Sequence, residues 1–414
     1  MSSVNYSETL DWMFNQLPFY QKQGAVAFKP GLEKIAAFCE VLGNPQDELT
    51  IVHIGGTNGK GSTAHLMASV LQENGFQVGI YSSPHLLDFR ERIKINGCYI
   101  EKKEVVAFIA THKDYITSHE LTFFEISFAL AVTYFAAQKI DYALIEVGMG
   151  GRLDATNIVK PILSVITNIG LDHTQFLGST HTAIAGEKAG IIKRNIPVVI
   201  GEERPDTRLV FETHAKKKNA PIHFAAAVTQ KMDESVLNDF GSYQTQNIQT
   251  AYAALQQLLK GALQLDTIYK GFAMVTHNTA LRGRWEKIAS HPTVILDVSH
   301  NQEGFSYFNK SLAKESYDQL HLVLGFVKDK NIGEIFKWLP KTAHYYFCAP
   351  DLFRALPIQD LEKQLPNDLN TYQCFDSVEN AYSEALAQAH RTDLVVVTGS
   401  TFVVAEALEK IQVE

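Results

Sequence analysis

The segment Gly55-Gly56-Thr57-Asn58-Gly59-Lys60-Gly61-Ser62-Thr63 sets a lysine between two glycines, directly after an apolar β-branched run at 49–54 and directly before a helical pattern. Glycines let successive backbone N–H groups turn toward one anion. The lysine adds a point charge, and the following helix directs its positive end at the same spot. Such a strand–loop–helix unit suits the phosphates of a nucleoside triphosphate. An ordinary tight turn needs one glycine and has no use for a lysine flanked by two. The pattern departs from the strict phosphate-loop consensus, since Ile54 stands where its first glycine belongs and Gly61 follows Lys60 where Ser or Thr is expected.

A second segment, Glu146-Val147-Gly148-Met149-Gly150-Gly151-Arg152-Leu153-Asp154-Ala155-Thr156-Asn157, follows another apolar run. Ligands of open α/β sheets collect outside the carboxyl ends of the strands, so Glu146 can face the same crevice as Lys60 and hold Mg²⁺. On composition alone it serves equally as a buried partner of Arg152. His173 follows the apolar run 162–167, and Lys188 lies among Ala185, Ala189, Ile191 and Ile192. Taken singly, both favour bland readings, a hydrogen-bonded histidine and a solvated lysine. A partly buried amine nonetheless needs a partner or a lowered pKa.

The elements that must position these residues alternate. Short apolar runs at 49–54, 77–81, 142–147, 162–167 and 197–200 read as buried parallel strands, separated by helical segments at 63–73, 124–138 and 182–192. Asn96-Gly97 between alternating residues predicts an antiparallel hairpin over 91–100. Helices are expected over 244–260 and 265–275, and the charged stretch 282–292 marks the domain boundary. Beyond it, strands at 294–297, 320–324, 345–347 and 394–397 and a helix at 378–389 restart the alternation. The expected architecture is an α/β chain: a P-loop-type doubly wound parallel sheet domain over residues 1–287, then a smaller Rossmann-like α/β domain over 293–414.

The 414 residues, 46% hydrophobic and 20% charged, are enough for two cores and too apolar for a disordered chain. No run reaches the roughly 18 uncharged apolar residues of a membrane span, and no secretory leader is visible, so a cytoplasmic protein is expected. The four cysteines, Cys39, Cys98, Cys348 and Cys374, form no closely spaced pair and read as reduced packing residues. A formal charge of −8 with no dense basic run beyond residues 216–218 argues against nucleic acid as partner. An anionic small molecule then requires local cations.

Together, GTNGKGS at 56–62, SSPHL at 82–86, TFFE at 122–125, EVGMGGRLDATN at 146–157, LDHTQFLG at 171–178, GEKAGIIK at 186–193 and RGRWE at 282–286 resemble the folylpolyglutamate synthase/dihydrofolate synthase family of the Mur ligase superfamily. Asp297-Val298-Ser299-His300-Asn301 and residues 325–330 extend the match along nearly the whole chain. The resemblance implies an ATP-dependent ligase that joins L-glutamate to folate, and also to dihydropteroate, through an acyl phosphate. It assigns Thr57, Asn58, Gly59, Lys60, Gly61 and Ser62 to the phosphates, and lets Asn247, Arg284, Asp297 and His300 complete the ATP site, with Arg284 on phosphate, Asp297 on ribose and His300 on the adenine side. Ser83, Glu146, His173 and Lys188 become the ligands of two Mg²⁺ ions, with Lys188 as a carbamate. The implied catalytic residues are Lys60, His173, Lys188 and Arg284. Thr122, Phe123, Phe124, Glu125, Leu153, Asp154 and Ala155 match the pterin-binding region, and the expected form is a monomer with no membrane partner. Two departures stand out: Ser299 and Gln302 replace the usual Ala and Pro of the Asp297 motif, and Asn331 stands where Asp is common. Both put loop shape in question and leave the reaction class intact.

Overall fold

The computed structural model describes residues 5–17, 31–227, 244–260, 262, 264–328, 330–367, 369 and 371–413. The chain forms two compact units that divide between Leu281 and Arg282. The first is built on an eight-stranded sheet of β1 (Ile51–Gly55), β2 (Val78–Tyr81), β3 (Ile93–Ile95), β4 (Cys98–Tyr99), β5 (Tyr142–Glu146), β6 (Leu163–Ile166), β7 (Val198–Ile200) and β8 (Ile222–Phe224). Their spatial order is β4-β3-β2-β5-β1-β6-β7-β8. Strands β2, β5, β1, β6, β7 and β8 run parallel. The mainly apolar runs of the central strands follow from burial on both faces, which parallel sheets require.

The expected hairpin is present. Strands β2, β3 and β4 pair antiparallel, and Asn96 and Gly97 both take positive φ between β3 and β4. Strand β8 escapes sequence reading because it is three residues long with a polar centre, His223. The helix Phe123–Gln138 lies in one apolar cluster with Phe38, Tyr81 and Phe89. The helix His181–Ala189 belongs to a second cluster with Ile166, Ile200 and Phe211.

The second unit carries a six-stranded sheet of β9 (Arg284–Ser290), β10 (Thr293–Asp297), β11 (Leu320–Leu324), β12 (His344–Cys348), β13 (Tyr372–Phe375) and β14 (Leu394–Thr398), in the order β13-β12-β11-β14-β10-β9. Strand β9 pairs antiparallel with β10, with two register shifts. Residues 282–287, which the sequence reading gives to the first domain, therefore lie in the second unit. They read as a charged boundary stretch because an edge strand keeps polar side chains toward water. All four cysteines are free thiols; Cys39 and Cys348 are buried and Cys374 is partly buried, whereas Cys98 is exposed and so is not the core packing residue expected. Among the described residues, no helix is long and apolar enough to cross a membrane.

Candidate functional site

Strand β1 lies between β5 and β6, so successive crossovers leave it in opposite directions and open a crevice at its carboxyl end. The glycine-rich loop occupies that point. Its backbone is strapped to the segment after β6: Thr57 N donates to Asn168 O at 3.0 Å, Asn58 N to Asn168 Oδ1 at 2.8 Å, and Thr167 Oγ1 to Asn58 O at 2.6 Å. Gly170 N donates to Thr57 Oγ1 at 2.9 Å. Sequence reasoning assigned no role to Thr167 and Asn168; their signal was two polar residues at the end of a buried strand.

Gly59 caps the helix Lys60–Glu73 in the left-handed region, at φ +80°. A Cβ there would stand 2.1 Å from Asn247 Oδ1. The Asn247 side chain, on the helix Gln244–Leu258, thus lies against the glycine-rich loop. Lys60 Nζ donates to Thr57 O at 3.0 Å, which folds the cation over its own loop. Ser62 is buried in the first turn of the helix.

Glu146 ends β5 in register with Ile54, the residue before the loop glycines. It is 4% exposed, accepts from Ser83 N at 3.1 Å, and has Oε2 3.3 Å from where a Gly61 Cβ would sit. Arg152 pairs instead with Glu187, at 3.0 Å, so the structural role open to Glu146 as its partner falls away. His173 starts the short helix Thr174–Leu177 at φ +50°, with Nε2 4.0 Å from Asp172 Oδ2.

Lys188 is 3% exposed and donates to Gly56 O at 2.8 Å. Burial, helped by the positive charge of Lys60, lowers its pKa to about 7, against weaker opposing pulls from Asp172 and Asp154. The loop, Ser83, Glu146 and Lys188 therefore converge. Among the described residues, no three His, Cys, Asp or Glu side chains group as a metal cage. Magnesium suits such a setting, because it takes one or two protein carboxylates and completes its octahedron with phosphate and water.

In the segments expected to meet a pterin, Thr122 and Glu125 form a capping box: Thr122 N donates to Glu125 Oε2 at 2.7 Å and Glu125 N to Thr122 Oγ1 at 3.2 Å. Phe123 is core, stacked on Phe14 and beneath the Arg92 guanidinium. Phe124 and Leu153 are half-buried, whereas Asp154 and Ala155 are buried. A Cβ on Gly148 would lie 2.5 Å from Phe124 Cζ, so the two sequence segments meet there. Asp154 accepts from Met149 N at 2.8 Å and from Thr156 N at 3.0 Å. Beside it opens a cleft of about 110 Å³ lined by Met149, Arg152, Leu153, Phe176 and Glu187 among others.

In the second unit, Asp297 is 1% exposed and accepts from Trp285 N and Ser299 N, each at 3.0 Å. Its carboxylate thereby fixes the Arg284-Trp285 turn against the loop carrying His300. Arg284 is half-buried, with Nη1 3.3 Å from Gly283 O, and His300 Nδ1 lies 3.0 Å from Val298 O. Ser299, the departure from the family pattern, donates through Oγ to Asp297.

Residues 54–254 match the Mur ligase middle domain and residues 283–401 the Mur ligase glutamate ligase domain. The chain is 30% identical to the dihydrofolate synthase/folylpolyglutamate synthase of Bacillus subtilis, over 98% of this chain and 99% of that protein. The chain belongs to the folylpolyglutamate synthase/dihydrofolate synthase family. A Haloferax volcanii relative, a probable bifunctional folylpolyglutamate synthase/dihydropteroate synthase, is 35% identical over 98% of this chain, which spans 50% of its length. Among solved family structures, Escherichia coli FolC in complex with DHPP and ADP superposes at a TM-score of 0.86, with 30% identity and 99% and 98% coverage. A bifunctional folylpolyglutamate synthase/dihydrofolate synthase with Mn, AMPPNP and L-glutamate bound gives 0.85 at 28% identity, covering 99% of this chain and 98% of that one.

Proposed function

We propose that this chain is an ATP-dependent carboxylate–amine ligase that adds L-glutamate to folates and to 7,8-dihydropteroate, acting as a cytoplasmic monomer. The observation that carries the reading is the phosphate loop 56–62 at the switch point of the sheet, beside Glu146, Ser83 and Lys188. Family membership supports the same conclusion, as do the ADP, AMPPNP, Mn and L-glutamate named for its solved relatives.

In this reading the acceptor carboxylate takes the γ-phosphoryl group of ATP, releasing ADP. The amine of glutamate then attacks the acyl phosphate; the C–N bond forms, the C–O bond to phosphate breaks, and inorganic phosphate leaves. Bringing two anions together is the physical obstacle. The backbone N–H groups of 59–62 bind the phosphates within a loop that Thr57 and Asn58 tie to Asn168, Lys60 neutralises charge on them, and Arg284 supplies a second cation. Asn247 and His300 hold the remainder of the nucleotide, and Asp297 its ribose. Phe124 and Leu153, with the loop that Asp154 organises, receive the pterin ring. Glu146, Ser83, His173 and Lys188 would hold divalent magnesium at two positions. When bound, it supplies charge neutralisation along the transferring phosphoryl group.

The proposal includes a carbamate on Lys188. A neutral amine attacks CO₂, an N–C bond forms, and the carbamic acid loses its proton to solvent, leaving an anion in place of a cation. The lowered pKa of Lys188 favours the neutral amine this step needs. Lys188→Ala should be nearly inactive and partly rescued by short-chain carboxylates. A crystal structure showing bound magnesium beside an unmodified Lys188 would overturn the carbamate.

The deciding experiment measures phosphate release from MgATP and L-glutamate with dihydropteroate or tetrahydrofolate as acceptor. Release with both supports the bifunctional ligase, and release with tetrahydrofolate alone reduces it to a polyglutamate synthase. Release with neither, despite tight ATP binding, moves other Mur-type amide ligases and a non-catalytic nucleotide scaffold ahead of it.

A further inference from the structure

Behind the acceptor loop lies a buried polar chain that the proposed reaction does not use. His53, central in β1 and 0% exposed, places Nε2 2.8 Å from Thr156 Oγ1. Thr156, also 0% exposed, donates its hydroxyl hydrogen to Asp154 Oδ1. Asp154 Oδ2 in turn accepts from Met149 N at 2.8 Å. A threonine hydroxyl has a single hydrogen, already given to the carboxylate, so Thr156 Oγ1 must accept from His53. That fixes His53 as the neutral tautomer protonated on Nε2. Burial lowers its pKa to about 3, which agrees. Its Nδ1 is then a bare acceptor, with no hydrogen-bond partner among the described residues.

From this geometry we infer that His53 and Thr156 are positioning residues for acceptor recognition: the relay His53–Thr156–Asp154–Met149 sets the shape of loop 148–154 from the strand that carries the phosphate loop. The reasoning is directional. Histidine is an unusual choice at the centre of a fully buried strand, and an aliphatic residue there would avoid an unsatisfied ring nitrogen. Its donor is what the site gains. Without it the Thr156 hydroxyl is free to turn, and the Asp154 carboxylate, still held by Thr156 N at 3.0 Å, loses the second of the two contacts on Oδ1 that orient it toward Met149 N. Gly148, whose missing Cβ lets the Phe124 ring approach, sits immediately before Met149, so a reorganised loop alters the wall against which an acceptor ring packs. The phosphate loop itself is held by Thr167 and Asn168, outside this relay.

The inference rests on the acceptor role proposed for loop 148–155, and the test separates the two. In Thr156→Val, of nearly equal shape, KM for dihydropteroate should rise about tenfold, the worth of one buried hydrogen bond, with kcat within about twofold and KM for MgATP unchanged. Thr156→Ser, which keeps the hydroxyl, should restore the parent KM, and His53→Gln, whose amide donor reaches the Nε2 position, should fall between. Histidine-selective nitrogen NMR of the full chain should show His53 protonated on Nε2 and neutral down to about pH 4. Thr156→Val with the parent KM would overturn the relay, as would Thr156→Ser as impaired as Val or an Nδ1-protonated His53. If the parent enzyme itself turns over neither acceptor, the acceptor reading fails; the tautomer spectrum still decides whether the relay exists.

Discussion

Gly59→Ala is the sharpest test of the phosphate loop as built. Two costs add. An L residue at φ +80° pays about 1–2 kcal/mol for its left-handed backbone. The new Cβ would also stand 2.1 Å from Asn247 Oδ1 and 3.0 Å from Cγ, so the Asn247 amide, 7% exposed, must leave its place. Losing its buried polar contacts costs about another 1–1.5 kcal/mol. The loop can escape both by relaxing out of its phosphate-binding shape, and nucleotide binding must then restore that shape. The sum, about 2–3.5 kcal/mol, corresponds to a roughly 30- to 300-fold weaker Kd for MgADP by titration calorimetry. Gly75→Ala is the matched control: its φ is +83°, yet no atom lies within 4 Å of its Cβ position. That variant should lose about 1 kcal/mol of stability and bind MgADP normally. A Gly59→Ala enzyme that binds MgADP within about threefold of the parent would refute the reasoning.

Other consequences are as direct. Lys94, 3% exposed and donating to Thr279 O at 2.9 Å, has its pKa lowered by burial to about 8 from 10.5. The unfolded chain therefore holds a proton that the folded chain has released between those values, and stability should rise from pH 8 to pH 10. Urea unfolding of Lys94→Met should lack that part of the slope; an unchanged slope rejects the assignment. Thr122→Ala removes the hydroxyl that caps Glu125 N, leaves the Thr122 N–Glu125 Oε2 arm in place, and should cost about 1 kcal/mol in the same assay, with no change in Kd for nucleotide. Phe124→Ala removes a half-buried ring packed on Gly148. It should raise KM for dihydropteroate several-fold while leaving KM for ATP alone, and equal effects on both would contradict its placement on the acceptor side.

The glycine-rich loop was legible because it is local. Gly59, Lys60 and the helix after them take their shape from backbone conformation, which a few adjacent residue types dictate. The central parallel strands were equally plain, since burial on both faces leaves apolar runs, whereas the parallel edge strands β8 and β13, only partly buried, were not. Nor was strand β9: an edge strand's charges look like a domain boundary until its pairing with β10 is seen. Whether Glu146 faces Arg152 or the phosphate loop was undecidable from spacing, because the choice depends on Glu187 arriving from a helix thirty-five residues away to take Arg152. Lys188 and His53 make the same point more strongly. Their residue types are ordinary, and what perturbs them is burial against Gly56 and Thr156, partners distant in sequence. Local backbone chemistry was thus written in the order of residues, whereas dielectric environment and pairing exist only once the chain has closed on itself.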